Sequence, residues 1–163
     1  MDVFVSSTYR DLAEYREIIR LALETSGYHF HGMEHFPAQD RPPLDACLGA
    51  LDDSDVYVGI VGGLYGSSPP GRQLSYTELE YRRARELGIY RIMLVIDDEA
   101  SVRAAHIEQD PHRIERLKRF RALVEGRHTV QSFRDGNEAA WKILAALRTY
   151  EIQTTGGADV GSS

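Results

Sequence analysis

The chain of 163 residues has a single cysteine, Cys47. No disulfide framework can form, so the fold has to rest on its core, and a reducing compartment suits it. Long apolar runs are missing too. Nothing approaches the roughly 18 residues that a membrane span needs, and Met1-Asp2 leads into a short apolar run and not into a signal peptide. A soluble, cytoplasmic protein without a membrane partner is expected. Positive charge is in the minority: 19 Lys and Arg against 25 Asp and Glu give a formal net charge of -6, the opposite of the basic balance of a general nucleic-acid binder. Gly59, Gly62, Gly63 and Gly66 carry no Gly-Lys-Ser/Thr after them and miss the GxGxxG spacing, which removes support for Walker-type ATP hydrolysis and Rossmann hydride transfer. His29, His31 and His35 have no further ligand at zinc-like spacing, so neither a metal nor a resident cofactor is expected.

This length fits one domain with a sizeable core, burying roughly 70% of the unfolded surface. Apolar runs at 3–5, 28–33, 56–61, 91–96 and 128–133 read as strands. Between them lie helical patterns. The first is capped by Thr8 with Asp11 and carries Leu12, Tyr15, Ile19, Ala22 and Leu23 up to Gly27. The second opens at Pro42-Pro43 with Leu44, Cys47, Leu48 and Leu51, which makes Cys47 a buried structural thiol. The third runs from Ser75 to Gly88, and the fourth from Asp110-Pro111 to about Gly126 with a basic, solvated face. The last spans 136–150, anchored by Trp141, Leu144 and Leu147. Five strands alternating with five helices predict an open, doubly wound, mostly parallel sheet over residues 1–152. Residues 153–163 are small, polar and Gly-rich, and read as a linker or tail.

In that architecture ligands gather at the carboxyl ends of the strands. The nominated loops are Ser6-Ser7-Thr8, residues 34–40 and residues 62–75. Ser6, Ser7 and Thr8 could receive an anion or simply cap a helix. Gly62 and Gly63 could admit a ligand close to the backbone, with Tyr65 as a stacking face. The third helix holds the anomaly. With Ser75 as N-cap and Glu78 closing a capping box, the apolar stripe is Tyr76, Leu79, Ala84 and Leu87. Glu80 lies within that stripe, whereas Glu78 points outward to Arg82. An inward carboxylate costs energy unless compensated. Either Arg83 neutralises it or it marks a reactive site.

The span from Asp2 to about Tyr150 resembles a family filed as domain of unknown function 4062. The matching segments are Val3-Phe4-Val5-Ser6-Ser7-Thr8-Tyr9-Arg10-Asp11-Leu12, Gly32-Met33-Glu34-His35-Phe36, Tyr57-Val58-Gly59-Ile60-Val61-Gly62 and Ser75-Tyr76-Thr77-Glu78-Leu79-Glu80-Tyr81. The family usually stands at the N-terminus of larger proteins with NTPase modules or repeats, including candidate bacterial defence proteins. More distantly the chain is similar to TIR domains and nucleoside 2-deoxyribosyltransferases, which implies a flavodoxin-like, three-layer sandwich. In both relatives a catalytic glutamate sits near the start of the third helix, and alignment through Ala84, Leu87 and Gly88 places it on Glu80. The tryptophan-cysteine pair that often precedes the TIR glutamate is replaced by Tyr76-Thr77.

Two functions follow from the resemblance. One is cleavage of a nucleotide N-glycosidic bond, with NAD as first candidate substrate and Glu80 catalytic. Ser6, Ser7, Thr8, Glu34, Gly62, Gly63 and Tyr65 would hold the ligand, and Tyr76 and Thr77 would position Glu80. The other is a non-catalytic interaction module that self-associates or docks a neighbouring domain through the basic fourth helix and the loop at 34–41.

Overall fold

The computed structural model describes residues 1–33 and 44–156. The chain runs β1 (Asp2–Ser7), α1 (Ala13–Thr25), β2 (His29–His31), α2 (Leu44–Asp52), β3 (Val56–Val61), α3 (Tyr76–Leu87), β4 (Tyr90–Ile96), α4 (Pro111–Glu125), β5 (Gln131–Phe133) and α5 (Gly136–Gly156). All four strand pairings are parallel, in the order β2-β1-β3-β4-β5. This is the flavodoxin-like order, whose direction of winding reverses between β1 and β3. Central strands buried on both faces need continuous apolar runs, and every residue of β3 is buried.

Strand alternation sends side chains to two separate cores. Val3, Val5, Val56, Val58, Ile60, Leu94 and Ile96 face α1 and α5. Phe4, Tyr57, Val61, Met93 and Val95 face the opposite layer, with Leu51 of α2, Tyr81 and Ala84 of α3, and Phe120 and Val124 of α4. Gly59 belongs to the second face. A Cβ there would stand 2.5 Å from the Met93 Cε and 2.8 Å from the Tyr57 ring, so glycine leaves room for those two large side chains.

Several local expectations are corrected. Helix α1 has no side-chain cap at its start, because Thr8 and Asp11 are engaged elsewhere. The two edge strands shrink to three residues each, since each pairs on one side only. His128, expected in β5, instead bonds the Tyr81 hydroxyl at 2.8 Å. In α5 the buried set is Ala139, Ala140, Ile143 and Leu147. Trp141 lies on the other face, 67% exposed, and anchors nothing among the described residues. The helix also continues through Gly156, so residues 153–156, read as linker, are helical. Pro42-Pro43 and the loop at 34–41 lie outside the described residues.

Candidate functional site

The winding reversal leaves a cleft at the carboxyl ends of β1 and β3, and a cavity of about 380 Å³ occupies it. Ser7, Thr8, Tyr9 and Arg10 form its wall on the β1 side, Leu64, Gly66 and Ser67 on the β3 side. Tyr76, Thr77 and Glu80 of α3 complete it with Met33, Cys47, Glu108 and Arg113.

Ser75 caps α3, its Oγ accepting from Glu78 N–H at 3.2 Å, and that fixes the phase of the helix. The inward set is Thr77, Glu78, Glu80, Tyr81 and Ala84. Glu80 is thus buried and faces the cavity, as its position in the stripe implies. Leu87 is exposed and the fully buried aromatic is Tyr81, because the inward face is rotated about one residue from the expected one.

Three features define the environment of Glu80. Ser6 Oγ donates to its Oε2 at 2.5 Å. The guanidinium of Arg16 supplies the nearby positive charge, and Arg83 is instead committed to Asp52 at 2.8 Å. Burial outweighs both and pushes the Glu80 carboxyl up to about 7. A carboxyl with that value is present in both forms near neutral pH, the property expected of a group that exchanges protons or meets developing positive charge.

Arg16 is the residue that sequence reasoning missed. It is 2% exposed, and it donates to Ser7 Oγ at 2.8 Å and to the Val5 carbonyl at 3.2 Å. Its guanidinium carbon lies 5.9 Å from the centre of the Phe30 ring. The spacing Leu12, Arg16, Ile19, Leu23 is that of a buried stripe, so an inward cation was readable. Tyr57 was also missed. Its hydroxyl is buried beside Ser6 without a partner of hydrogen-bonding geometry, and burial keeps it a neutral phenol.

The structure brings Ser7, Thr8, Tyr76, Thr77 and Glu80 to the cavity wall. Ser6 acts on Glu80 and does not line the cavity. The remaining expected contacts are structural. Thr8 donates to Asp11, and Asp11 Oδ2 accepts from Gly63 N–H at 3.0 Å and Leu64 N–H at 3.2 Å. The supposed helix cap therefore ties β1's loop to the glycine loop. A Cβ on Gly62 would stand 2.5 Å from Asp11 Oδ2, and one on Gly63 2.2 Å from the His106 carbonyl oxygen. These glycines serve close packing of the chain on itself. Tyr65 is 2% exposed, so its ring offers no stacking face. Its hydroxyl donates to Glu78 Oε2 at 2.7 Å and accepts from Ser75 N–H at 3.1 Å. Glu78 is buried as well, holding Tyr65 with one oxygen and Arg82 with the other, and no bond from it to Ser75 N–H closes a capping box. Glu34 lies outside the described residues.

Two further groups can be assigned. Burial, then the charge of Glu80, pushes the Cys47 thiol up to about 11, so it stays protonated and inert as a nucleophile. His29 and His31 both stand near Asp2 Oδ1, at 3.4 and 2.7 Å, at the far end of β1 from the cavity. Among the described residues no group of three or more His, Cys, Asp or Glu could hold a metal, and no helix is long and apolar enough to cross a membrane.

Residues 2–148 match the family model described as Domain of unknown function (DUF4062). The chain belongs to this family. Telomerase protein component 1 of Rattus norvegicus is 29% identical over 87 residues, which cover 44% of this chain and 3% of that protein. The shared segment is thus a small part of the relative. Among solved structures, the TIR domains of the activated Roq1 resistosome that directly recognises the pathogen effector XopQ superpose with a TM-score of 0.62. They are 15% identical, with 90% of this chain and 98% of that chain covered. The DUF4062 domain therefore has a TIR-like fold. The CMP N-glycosidase BcmB of Clostridium botulinum gives 0.45 at 19% identity, covering 88% and 98%, a likeness too loose to build on.

Proposed function

We propose that the domain cleaves the N-glycosidic bond of a nucleotide, with NAD as the first candidate substrate. The observation that carries this reading is the Glu80 carboxyl, buried at the wall of a cavity of ligand size, held by Ser6 and poised near pH 7. In the reaction the bond between the anomeric carbon and the base nitrogen breaks, and its electron pair leaves with the base. The ionised Glu80 faces the positive charge that develops at the anomeric carbon, as carboxylates do in glycosidases. Water then bonds to that carbon and gives up a proton, for which Glu80 is a suitable acceptor. Nicotinamide in NAD already carries a positively charged ring nitrogen, so it departs neutral without a proton donor. A site with one well-placed carboxylate suits that leaving group best.

Base release should follow the ionisation of Glu80. The rate is expected to rise with pH through a midpoint near 7 and to level off above 8. A rate that is flat between pH 5 and 9 contradicts a role for this carboxylate.

A second reading is favoured by the TIR-like fold, since the superposed TIR domains belong to a resistosome. The domain would self-associate or dock a neighbouring domain of a longer chain. Its basic helix α4 is already partly committed within the domain, with Arg116 donating to the Gln73 carbonyl and Arg119 paired with Glu115. Assembly and cleavage are compatible, because clustering can complete a site.

A further inference from the structure

We infer that the cavity selects a phosphorylated ligand over the corresponding free nucleoside, through Arg10 and Arg113. The inference rests on the nucleotide reading of the cavity and names the substrate class more narrowly.

Some of the seventeen arginines of this acidic domain are held by carboxylates. Arg20, Arg82, Arg83, Arg119, Arg121 and Arg134 each pair with an Asp or Glu. Arg10 and Arg113 are the two cationic residues on the cavity wall. Each is exposed and each contributes to the cavity wall, yet among the described residues neither has an ion pair or hydrogen bond through its side chain. They come from separate elements, the loop after β1 and the first turn of α4, so no helical surface pattern accounts for both. Guanidinium forks match phosphate oxygens in geometry and bond them in pairs. Ser67 lines the same cavity, whereas the Thr8 hydroxyl is taken by Asp11. One carboxylate other than Glu80 shares the cavity: Glu108, whose Oε2 accepts from Tyr65 N–H at 3.2 Å. Two cations on one cavity wall, unpaired among the described residues, suit an anionic group, which the carboxylates Glu80 and Glu108 would repel. In a nucleotide the 5′-phosphate hangs from C4′ through C5′, and the anomeric carbon is the neighbour across the ring oxygen. A phosphate on Arg10 and Arg113 would place the ribose in the cavity that Glu80 also lines.

The test is calorimetric binding of ADP and adenosine to the chain and to three variants, at low and high salt. ADP is expected to bind about tenfold or more tighter than adenosine, with a gap that narrows as salt rises. Arg10→Gln and Arg113→Gln should each close most of the gap while leaving adenosine unchanged. Arg119→Gln, on the same helix but outside the cavity, should leave both affinities alone. Equal affinity for the two ligands, binding of neither, or an Arg119→Gln effect equal to that of Arg113→Gln overturns the inference. Failure of the hydrolase reading is separable. ADP selectivity without base release from any nucleotide supports the arginine assignment and counts against cleavage. Base release from nucleoside and nucleotide at equal rates does the reverse.

Discussion

Glu80→Gln is expected to stabilise the protein increasingly as pH rises. Unfolded, the carboxyl titrates at the ordinary 4.5; folded, burial holds it near 7. The folded state therefore binds the proton more tightly. Its stability is complete below about pH 4.5 and declines as pH rises toward 7, levelling off beyond it. Each pH unit of displacement is worth about 1.4 kcal/mol, so wild type loses about 3 kcal/mol between pH 4 and pH 8 through this one group. Glutamine does not ionise and keeps that stability. Urea unfolding at pH 4 and pH 8 should show the variant gaining about 3 kcal/mol on wild type across the interval. A constant difference would mean that folding leaves the titration of Glu80 unchanged, its burial fully offset by its partners.

The second large effect falls on Arg16. Its guanidinium holds Ser7 Oγ and the Val5 carbonyl, and it also lowers the cost of ionising Glu80. Arg16→Met keeps the stem and removes the charge and the donors. Deleting one partner of a buried charged network costs about 3–5 kcal/mol. Two observations separate this from ordinary loss of packing. The penalty should be larger at pH 8, where Glu80 is ionised, than at pH 5. The midpoint of the pH–rate profile should also move upward, because the carboxylate loses its nearby cation. Arg16→Lys, which restores charge without the planar fork, should recover part of the midpoint and less of the stability. A penalty below about 1 kcal/mol, or a midpoint that stays in place, contradicts the coupling.

These two residues show what could be read from the chain. Glu80 was legible because helical spacing is local: four residues separate it from Tyr76 and from Ala84, and no tertiary information is needed to face it inward. Its partners were not. Ser6 lies 74 residues away, and Arg83, the obvious local candidate, is drawn off by Asp52 of α2. Glu78 was misjudged for the same reason. Its bond to Arg82 follows from spacing, whereas its bond to Tyr65 depends on the fold of the loop between β3 and α3. The doubly wound, parallel class follows from alternating buried runs, while the flavodoxin-like order was implied by the resemblance alone. The short edge strands and the exposed Trp141 were misread because local patterns do not report how much neighbour each face receives. Arg10 and Arg113 meet only in the cavity, 103 positions apart in the chain, and nothing in either local sequence joins them.

The central claim is that Glu80 serves the breaking of a nucleotide's glycosidic bond. It is tested most directly by nicotinamide release from NAD, with the domain concentrated and clustered, beside Glu80→Gln at the same concentration. Release from wild type is expected to fall about a thousandfold or more in the variant, in the range found when groups acting on developing charge are removed. Equal release from both proteins would contradict it, as would a folded, clustered wild type that releases no base from NAD or any other nucleotide.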